Sequence, residues 1–311
     1  MVLAPKSLRG IIAACLTPFR DGRVDFDALQ REVDYIVEDY RADAISIVAV
    51  EASEYPQLTW DERKEVIRRG IACVDHRIPT IAGVSHPATR CALELAEHAA
   101  ACGADLVQVL MPQRPWGGEP HPQEMVGYFS TIAEASPLPL VAYHNPGPGA
   151  DPAIPTLIEL SKIDRIHYFK ESSRDVTKIG RLIEEIDRAD NARYFTTMQP
   201  LLITLLLGGS GGTMPPPGAA IGARVVSAVR AGDLDQAREL ARTFSIFPVK
   251  WGSYGLPPVM KAALRHLGLD IGDPAPPYRA LTEADDAALA AFLRSSAFEP
   301  ARAQISATTR A

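Results

Sequence analysis

The chain is poor in cysteine: four in 311 residues, Cys15, Cys73, Cys91 and Cys102, with no CxxC pair among them. No metal-ligand spacing joins them to a histidine, which argues against a disulfide scaffold or a zinc ribbon. All four lie in apolar strand or helix patterns, where a free cysteine behaves as a small hydrophobe. Such usage suits a reducing, cytoplasmic setting. Long apolar runs are missing too. The run after Gly10, Ile11 to Leu16, lasts six residues, short of the roughly 18 that would span a bilayer, and stops at Thr17-Pro18-Phe19. No A-x-A cleavage pattern follows it, so the segment reads as structure rather than leader, and no membrane partner is expected. Nor is there a dense basic patch: 32 Lys and Arg stand against 38 Asp and Glu, a formal net charge of −6. Nucleic acid is therefore not an expected partner. The chain has no phosphate loop and no dinucleotide fingerprint after its first strand. His76, His98 and His121 show no metal spacing, and Ser85-His86 completes no Ser-His-Asp arrangement.

What the chain has is alternation. Hydrophobic residues make up 47% and charged residues 23%, an ordinary globular balance. Eight short apolar runs, at 10–16, 44–50, 79–84, 104–111, 138–143, 165–170, 192–197 and 209–214, read as strands. Most show no polar alternation, as expected of strands covered on both faces. Amphipathic segments separate them. Asp25 opens a helix with Phe26, Leu29, Val33, Ile36, Val37 and Tyr40 on one stripe. Thr59-Trp60-Asp61-Glu62 reads as a capping box. A helix starting near Pro87 ends at Gly103, Pro155 suits a first helical position, and Asp175 suits an N-cap. Further helices are expected over 123–135, 200–207 and 218–231.

Eight βα units in succession predict an α/β fold: a (β/α)8 TIM barrel over 1–231 with a C-terminal helical extension over 232–311. A doubly wound open sheet is the alternative, disfavoured by the count of eight and by the missing glycine loop. Helices are expected at 233–247, 256–267 and 282–293, and the small polar stretch 296–311 is expected to fray.

A barrel carries its site at the C-terminal ends of its strands. Those ends read Thr17, Glu51-Ala52-Ser53-Glu54, Ser85-His86, Pro112-Gln113-Arg114, Tyr143-His144-Asn145-Pro146, Lys170-Glu171, Thr196-Thr197 and Met214. Lys170 closes the apolar run Ile166-His167-Tyr168-Phe169. Burial there would lower its pKa and leave a nucleophilic amine able to condense with a carbonyl. The plain alternative is a strand-end lysine that reaches water or pairs with Glu171. Tyr143 ends the neighbouring strand and can carry the protons that imine chemistry moves. Its plain alternative is a packing aromatic with a wetted hydroxyl.

Together these motifs resemble the N-acetylneuraminate lyase / dihydrodipicolinate synthase family of class I, Schiff-base aldolases and lyases. Thr17-Pro18-Phe19 with Asp21-Gly22 is similar to its opening. Glu54, Leu58-Thr59 and Glu62-Arg63 resemble the end of its Gly-Thr-Thr-Gly-Glu loop and the next helix. Ile81-Ala82-Gly83-Val84, Gly103-Ala104-Asp105, Tyr143-His144-Asn145-Pro146, Phe169-Lys170-Glu171-Ser172-Ser173 and the glycines Gly208, Gly209, Gly211 and Gly212 resemble its later motifs. The resemblance covers roughly 8–270. It implies Lys170 as the imine-forming residue, Tyr143 as proton shuttle, no cofactor beyond the covalent imine, and a homotetramer or homodimer.

Departures fall at substrate contacts. The family's Thr-Thr pair binds the pyruvate carboxylate; here Glu51 and Ala52 stand there, followed by Ser53. An ionised Glu51 would repel a carboxylate by roughly 4 kcal/mol at 4 Å for an effective dielectric near 20. Backbone N–H groups of Ala52 and Ser53 remain, with the Ser53 hydroxyl. The synthases' second tyrosine after the strand-four proline is replaced by Gln113-Arg114-Pro115-Trp116. Their arginine after Tyr-Asn-x-Pro is replaced by Pro148. Arg114 is expected to face Glu51 across the mouth, either holding a substrate carboxylate or forming a rim ion pair. Trp116 either walls the pocket or packs on a helix. Thr17, Met214 and His144 complete the candidate substrate contacts, with His144 either a second acid/base or a structural histidine.

The expected function is that of a class I lyase, aldolase or dehydratase acting on pyruvate or another 2-oxo acid, with an aldehyde as a second substrate. Two alternatives stand beside it: 4-hydroxy-tetrahydrodipicolinate synthase, and a non-catalytic small-molecule binding protein on an aldolase barrel.

Overall fold

A computed structural model describes residues 3–114 and 118–301. Eight parallel strands close into a barrel: β1 (Gly10–Ala14), β2 (Ala44–Ile47), β3 (Thr80–Gly83), β4 (Leu106–Leu110), β5 (Leu140–His144), β6 (Ile166–Glu171), β7 (Arg193–Thr196) and β8 (Gly211–Met214). Each pairs with its sequence neighbour, and β1 pairs with both β2 and β8. Helices α1 (Phe26–Asp34), α2 (Trp60–Val74), α3 (Thr89–Ala101), α4 (Pro122–Ala135), α5 (Ile154–Ser161), α6 (Val176–Leu182), α7 (Leu201–Leu206) and α8 (Gly218–Arg230) follow the strands in turn. Three more, α9 (Leu234–Arg242), α10 (Leu256–His266) and α11 (Glu283–Arg294), come after the last βα unit. A (β/α)8 barrel with C-terminal helices is therefore the architecture. No described helix is long and apolar enough to cross a membrane.

Local chemistry places these elements. Asp25 caps α1, its carboxylate accepting from Ala28 N. Thr59 and Glu62 form the reciprocal capping box of α2, a cap of about 1 kcal/mol. Asp175 accepts from Thr177 N and Lys178 N at the start of α6. Pro155 lies one residue inside α5, which begins at Ile154. Two helices loosen at their ends: Tyr35–Asp39 and Ile183–Arg188 wind as π-helix. Of the stretch 296–311 expected to fray, 302–311 lie outside the described residues, as does Trp116, while Phe298 and Ala301 are buried.

Strand period two sorts the barrel's contents. Ile12, Ala44, Ile81, Leu106, Val141, Tyr168 and Phe195 pack together inside the barrel, with Leu8 below them. The Tyr168 hydroxyl accepts from Leu8 N at 3.3 Å. Two residues further along their strands, Tyr143 follows Val141 and Lys170 follows Tyr168, so both stand on the inner face above that apolar floor. Residues between them point outward: Ala142 and Phe169 belong to the larger cluster under the helices.

The end of β2 is bent sharply. The strand stops at Ile47, and Val48 takes φ +51, a left-handed conformation rare for a β-branched residue. The sequence expectation carried this strand on to 50. Gly83 makes the bend feasible, because a Cβ there would lie 1.6 Å from the Val48 carbonyl oxygen. The turn brings Ala49, Val50, Glu51 and Ala52 across the barrel mouth.

Candidate active site

Lys170 and Tyr143 are direct partners in the β5–β6 register. The Lys170 side chain is buried, the residue 5% exposed, and its Nζ lies 3.8 Å from the centre of the Tyr143 ring. Among the described residues no carboxylate lies within ion-pair distance of it. Burial pulls the ammonium down to about 7, and the nearby Glu51 charge opposes this only in part. A substantial fraction of free amine therefore exists at neutral pH. Burial pushes the Tyr143 phenol well above its ordinary range. Hydrogen bonding to Ser172, and more weakly to Asn145, pulls it back, as does the Arg174 charge.

The cavity above this pair is lined by Ala14, the 49–52 segment, Asn145, Ser172, Arg174, Thr197, Thr213, Met214, Pro215 and Leu256. Leu256 reaches it from α10, so the C-terminal helices contribute to the site. Glu51 also faces an adjoining hollow lined by Tyr55, Pro148 and Tyr278.

Glu171 is not the lysine's partner. It lies on the outer face of β6, where its carboxylate meets His144 Nδ1 at 3.1 Å, Tyr194 Oη at 2.8 Å and Ser173 N at 2.6 Å. Burial alone would raise its pKa, but the hydrogen bonds from His144 and Ser173 hold it below the ordinary carboxylate range. His144 Nε2 meets Asp151 at 2.8 Å, and Lys178 closes the chain on Asp151 at 2.6 Å. His144 is thus a fully buried structural residue with both ring nitrogens engaged, and it does not touch the cavity. Its expected substrate contact is corrected for a simple reason: neighbours on a strand face opposite ways, so Tyr143 inward means His144 outward.

Arg114 is corrected as well. It pairs with Glu124 in the first turn of α4 at 2.9 Å and does not line the cavity. The pairing with Glu51 is not formed, and the cation that does line the mouth is Arg174. Gln113 donates to the carbonyls of Gly147 and Gly149, stapling the loop that follows β5.

Thr17 and Ser53 lie beside the cavity rather than in it. Thr17 Oγ1 donates to Ser53 O and Ser53 Oγ to Cys15 O, each at 2.6 Å. Both hydroxyls are consumed in fixing the 51–54 loop to the end of β1, so neither replaces the missing threonine hydroxyls. Glu54 takes φ +48 and closes the loop with Glu54 N donating to Glu51 O. Its carboxylate is buried against Lys261 Nζ at 2.5 Å and accepts from Ala275 N at 2.6 Å. Ala52 and Met214 do line the cavity. Among the described residues, no group of three or more His, Cys, Asp or Glu is arranged to hold a metal ion.

Residues 7–296 match the model of the dihydrodipicolinate synthetase family. The chain belongs to that family. It is 31% identical over 271 residues to the 4-hydroxy-tetrahydrodipicolinate synthase of Enterococcus faecalis, covering 85% of this chain and 90% of that one. It is 33% identical over 238 residues to the protein of that name from Pelobacter propionicus, covering 75% and 79%. A solved structure of a putative dihydrodipicolinate synthetase from Pseudomonas aeruginosa superposes with a TM-score of 0.85 at 28% identity, covering 93% and 99%. N-acetylneuraminate lyase from Mycoplasma synoviae shares the fold, with a TM-score of 0.79 at 21% identity over 93% and 97%. As a member of the dihydrodipicolinate synthetase family, the chain is an enzyme of the Schiff-base lyase and aldolase class.

Arg174, Ser172, Thr213 and Leu256 join the lining without having been expected there, and Asn145 and Thr197, read at the strand ends but given no role, line it too. Ser172 and Asn145 were within reach of sequence reasoning, since they stand two residues beyond Lys170 and Tyr143. Leu256 belongs to a separate helix, and no local pattern ties it to the barrel mouth.

Proposed function

We propose that Lys170 forms the imine with pyruvate or another 2-oxo acid, and that Tyr143 moves the protons. The observation that carries this reading is a buried lysine amine, without an ion-pair partner among the described residues, held over a tyrosine ring at the C-terminal end of a barrel. The free amine attacks the C2 ketone. The resulting carbinolamine loses its hydroxyl as water, with a proton delivered through the phenol, to give a protonated imine. That cation accepts the electron pair when a bond to C3 breaks or a C3 proton leaves, which gives an enamine. C3 of the enamine then takes a proton or attacks the aldehyde carbon, whose oxygen takes a proton, and the protonated imine re-forms. Water adds to that imine and releases the lysine.

The ketone's own carboxylate is assigned to the backbone N–H of Ala52, which lines the cavity, with that of Ser53 at the cavity's edge. Among the described residues neither donates to a protein acceptor, and the loop presenting them is fixed by Thr17, Ser53 and Glu54. An aldehyde is the second substrate where the reaction joins carbon to carbon. No cofactor is needed, since the imine supplies the electron sink. A homotetramer or homodimer is supported by the exposed apolar side chains Val176 on α6, Ile203 and Leu206 on α7, and Leu207 just after it. A cytoplasmic setting is supported by four free thiols.

Borohydride reduction in the presence of pyruvate, followed by peptide mapping, tests the central step. A reduced adduct on Lys170, absent from Lys170→Met and formed about a hundredfold more slowly in Tyr143→Phe, is expected. Reversible binding with no adduct would favour the non-catalytic reading. The relatives' names favour 4-hydroxy-tetrahydrodipicolinate synthase as the second reading. Glu51 at the first threonine position and Pro148 at the arginine position argue against it, and robust turnover of pyruvate with aspartate semialdehyde would reinstate it.

A further inference from the structure

We propose that Arg174 makes this site selective for a 2-oxo acid carrying a second carboxylate at the end remote from the ketone. The inference rests on Lys170 being the imine-forming residue. Of the residues that line the cavity, only Lys170 and Arg174 are cations and only Glu51 is an acid. The two cations stand at different depths. Lys170 is buried on the floor, whereas Arg174 is exposed at the rim. A substrate joined to the lysine through C2 therefore extends outward toward the guanidinium.

The guanidinium is positioned but not neutralised. Nε donates to Gln199 Oε1 at 3.0 Å and Nη1 donates to Ser172 O at 3.1 Å. Both acceptors are uncharged, and among the described residues no carboxylate lies within 4 Å of the group. Arg174 thus keeps a full positive charge and spare N–H donors in the fork that suits a carboxylate. The charge is felt inside the cavity, where it draws the buried Tyr143 phenol downward.

The backbone adds a second, independent observation. Arg174 has φ +63, in the left-handed region where glycine is at ease and a long side chain is strained. It is held there between Ser173 and the N-cap Asp175 that starts α6. A glycine would make this turn without strain, so the fold alone gives no reason for an arginine. Strain of this kind is tolerated where the side chain has work to do. Glu51 supplies the complementary element. It disfavours a carboxylate on its own side of the mouth and can accept from a hydroxyl on the chain between the two ends.

Trapping with cyanoborohydride across a concentration series, read by intact mass, tests this. 2-Oxoglutarate is compared with 2-oxopentanoate and 2-oxoadipate with 2-oxohexanoate, pairs of equal chain length that differ in the distal carboxylate. Pyruvate reports on the lysine. In the wild-type protein at least one diacid should half-saturate about tenfold below its partner, the advantage of one charge-assisted fork. In Arg174→Gly that ratio should fall to near one, with the melting temperature held or raised, and Arg174→Lys should keep part of it. A general disturbance of the pocket would move both acids together and leave the ratio intact. If wild type traps pyruvate yet shows no diacid preference, or keeps the preference in Arg174→Gly, the inference is overturned and the lysine assignment stands. If wild type traps none of these acids, the lysine assignment itself fails and this inference with it.

Discussion

Lys170 Nζ sits 3.8 Å from the centre of the Tyr143 ring, over its face. Both side chains follow from strand geometry: Tyr143 and Lys170 are register partners on adjacent parallel strands, each two residues beyond a floor residue, Val141 and Tyr168. The ring face attracts the ammonium, while burial penalises it. The net effect is a lysine at about 7, available as free amine without any neighbouring cation to force its deprotonation.

The pH dependence of imine formation follows. The trapping rate with pyruvate should rise about tenfold per unit below pH 7 and level off above it. Stability carries the same signature. Because the folded-state pKa is depressed from 10.5 to about 7, the folded protein binds fewer protons than the unfolded chain between these values. Stability therefore rises with pH across that window, and the contribution is lost as pH falls through 7. Lys170→Met removes the slope, so its melting temperature should exceed that of wild type by more at pH 6 than at pH 10. A trapping profile that inflects near 10 would show an ordinary, hydrated lysine.

Glu51 acts on both partners. Its charge favours the protonated Lys170 and opposes ionisation of Tyr143. Glu51→Gln should move the trapping inflection below 7. It should also lower the half-saturating pyruvate concentration, since a carboxylate that faces the incoming one is gone. Competition between these effects is resolved by measuring rate against both pH and pyruvate. An unchanged inflection together with unchanged saturation would place the Glu51 carboxylate in solvent.

The barrel and its reactive pair were legible because strand period and strand order determine them. Asp25, Thr59 and Asp175 marked helix starts for an equally local reason, one side-chain oxygen near two or three backbone donors. Arg114 was misplaced because strand order brings a residue to the mouth but says nothing of side-chain direction once the strand has ended. Its partner Glu124 lies in the first turn of the next helix, close in sequence, where an acid also favours the helix dipole. Arg174 was missed on the same ground, since loop residues have no period. His144 is different: its outward direction follows from Tyr143 pointing inward, and the sequence held that information.

Lys261 ties the C-terminal helices to the active-site loop. Its Nζ is buried against Glu54 and donates to Asp273 O at 2.8 Å. Burial pushes Glu54 up and Lys261 down, and the attraction between the two charges opposes this first, with hydrogen bonding second. Lys261→Met leaves Glu54 buried without its partner and should cost about 3–5 kcal/mol in a urea melt. Adding Glu54→Gln should recover part of that loss. In the single variant the 51–54 loop loosens, so half-saturation for pyruvate should worsen more than the maximal trapping rate. Loss of less than about 1 kcal/mol would mean that the pair is solvated.

Glu32 is the deepest carboxyl near this loop. It is fully buried on α1, where Leu16 N donates to Oε1 at 2.8 Å. Burial raises it from 4.5 to about 8, with the Leu16 hydrogen bond and the distant Lys261 charge opposing. The folded protein therefore keeps a proton on Glu32 where the unfolded chain has lost it. This contribution to stability is complete below about 4.5 and disappears as pH rises through 8. Glu32→Gln preserves the shape and cannot ionise. Urea melts of the two proteins at pH 5, 7 and 9 should show the variant gaining on wild type at each step, because titrating groups that do not feel the Glu32 charge cancel in the difference. A difference that stays flat over that range would mean that Glu32 is ionised in the fold, with Lys261 reaching it as well as Glu54.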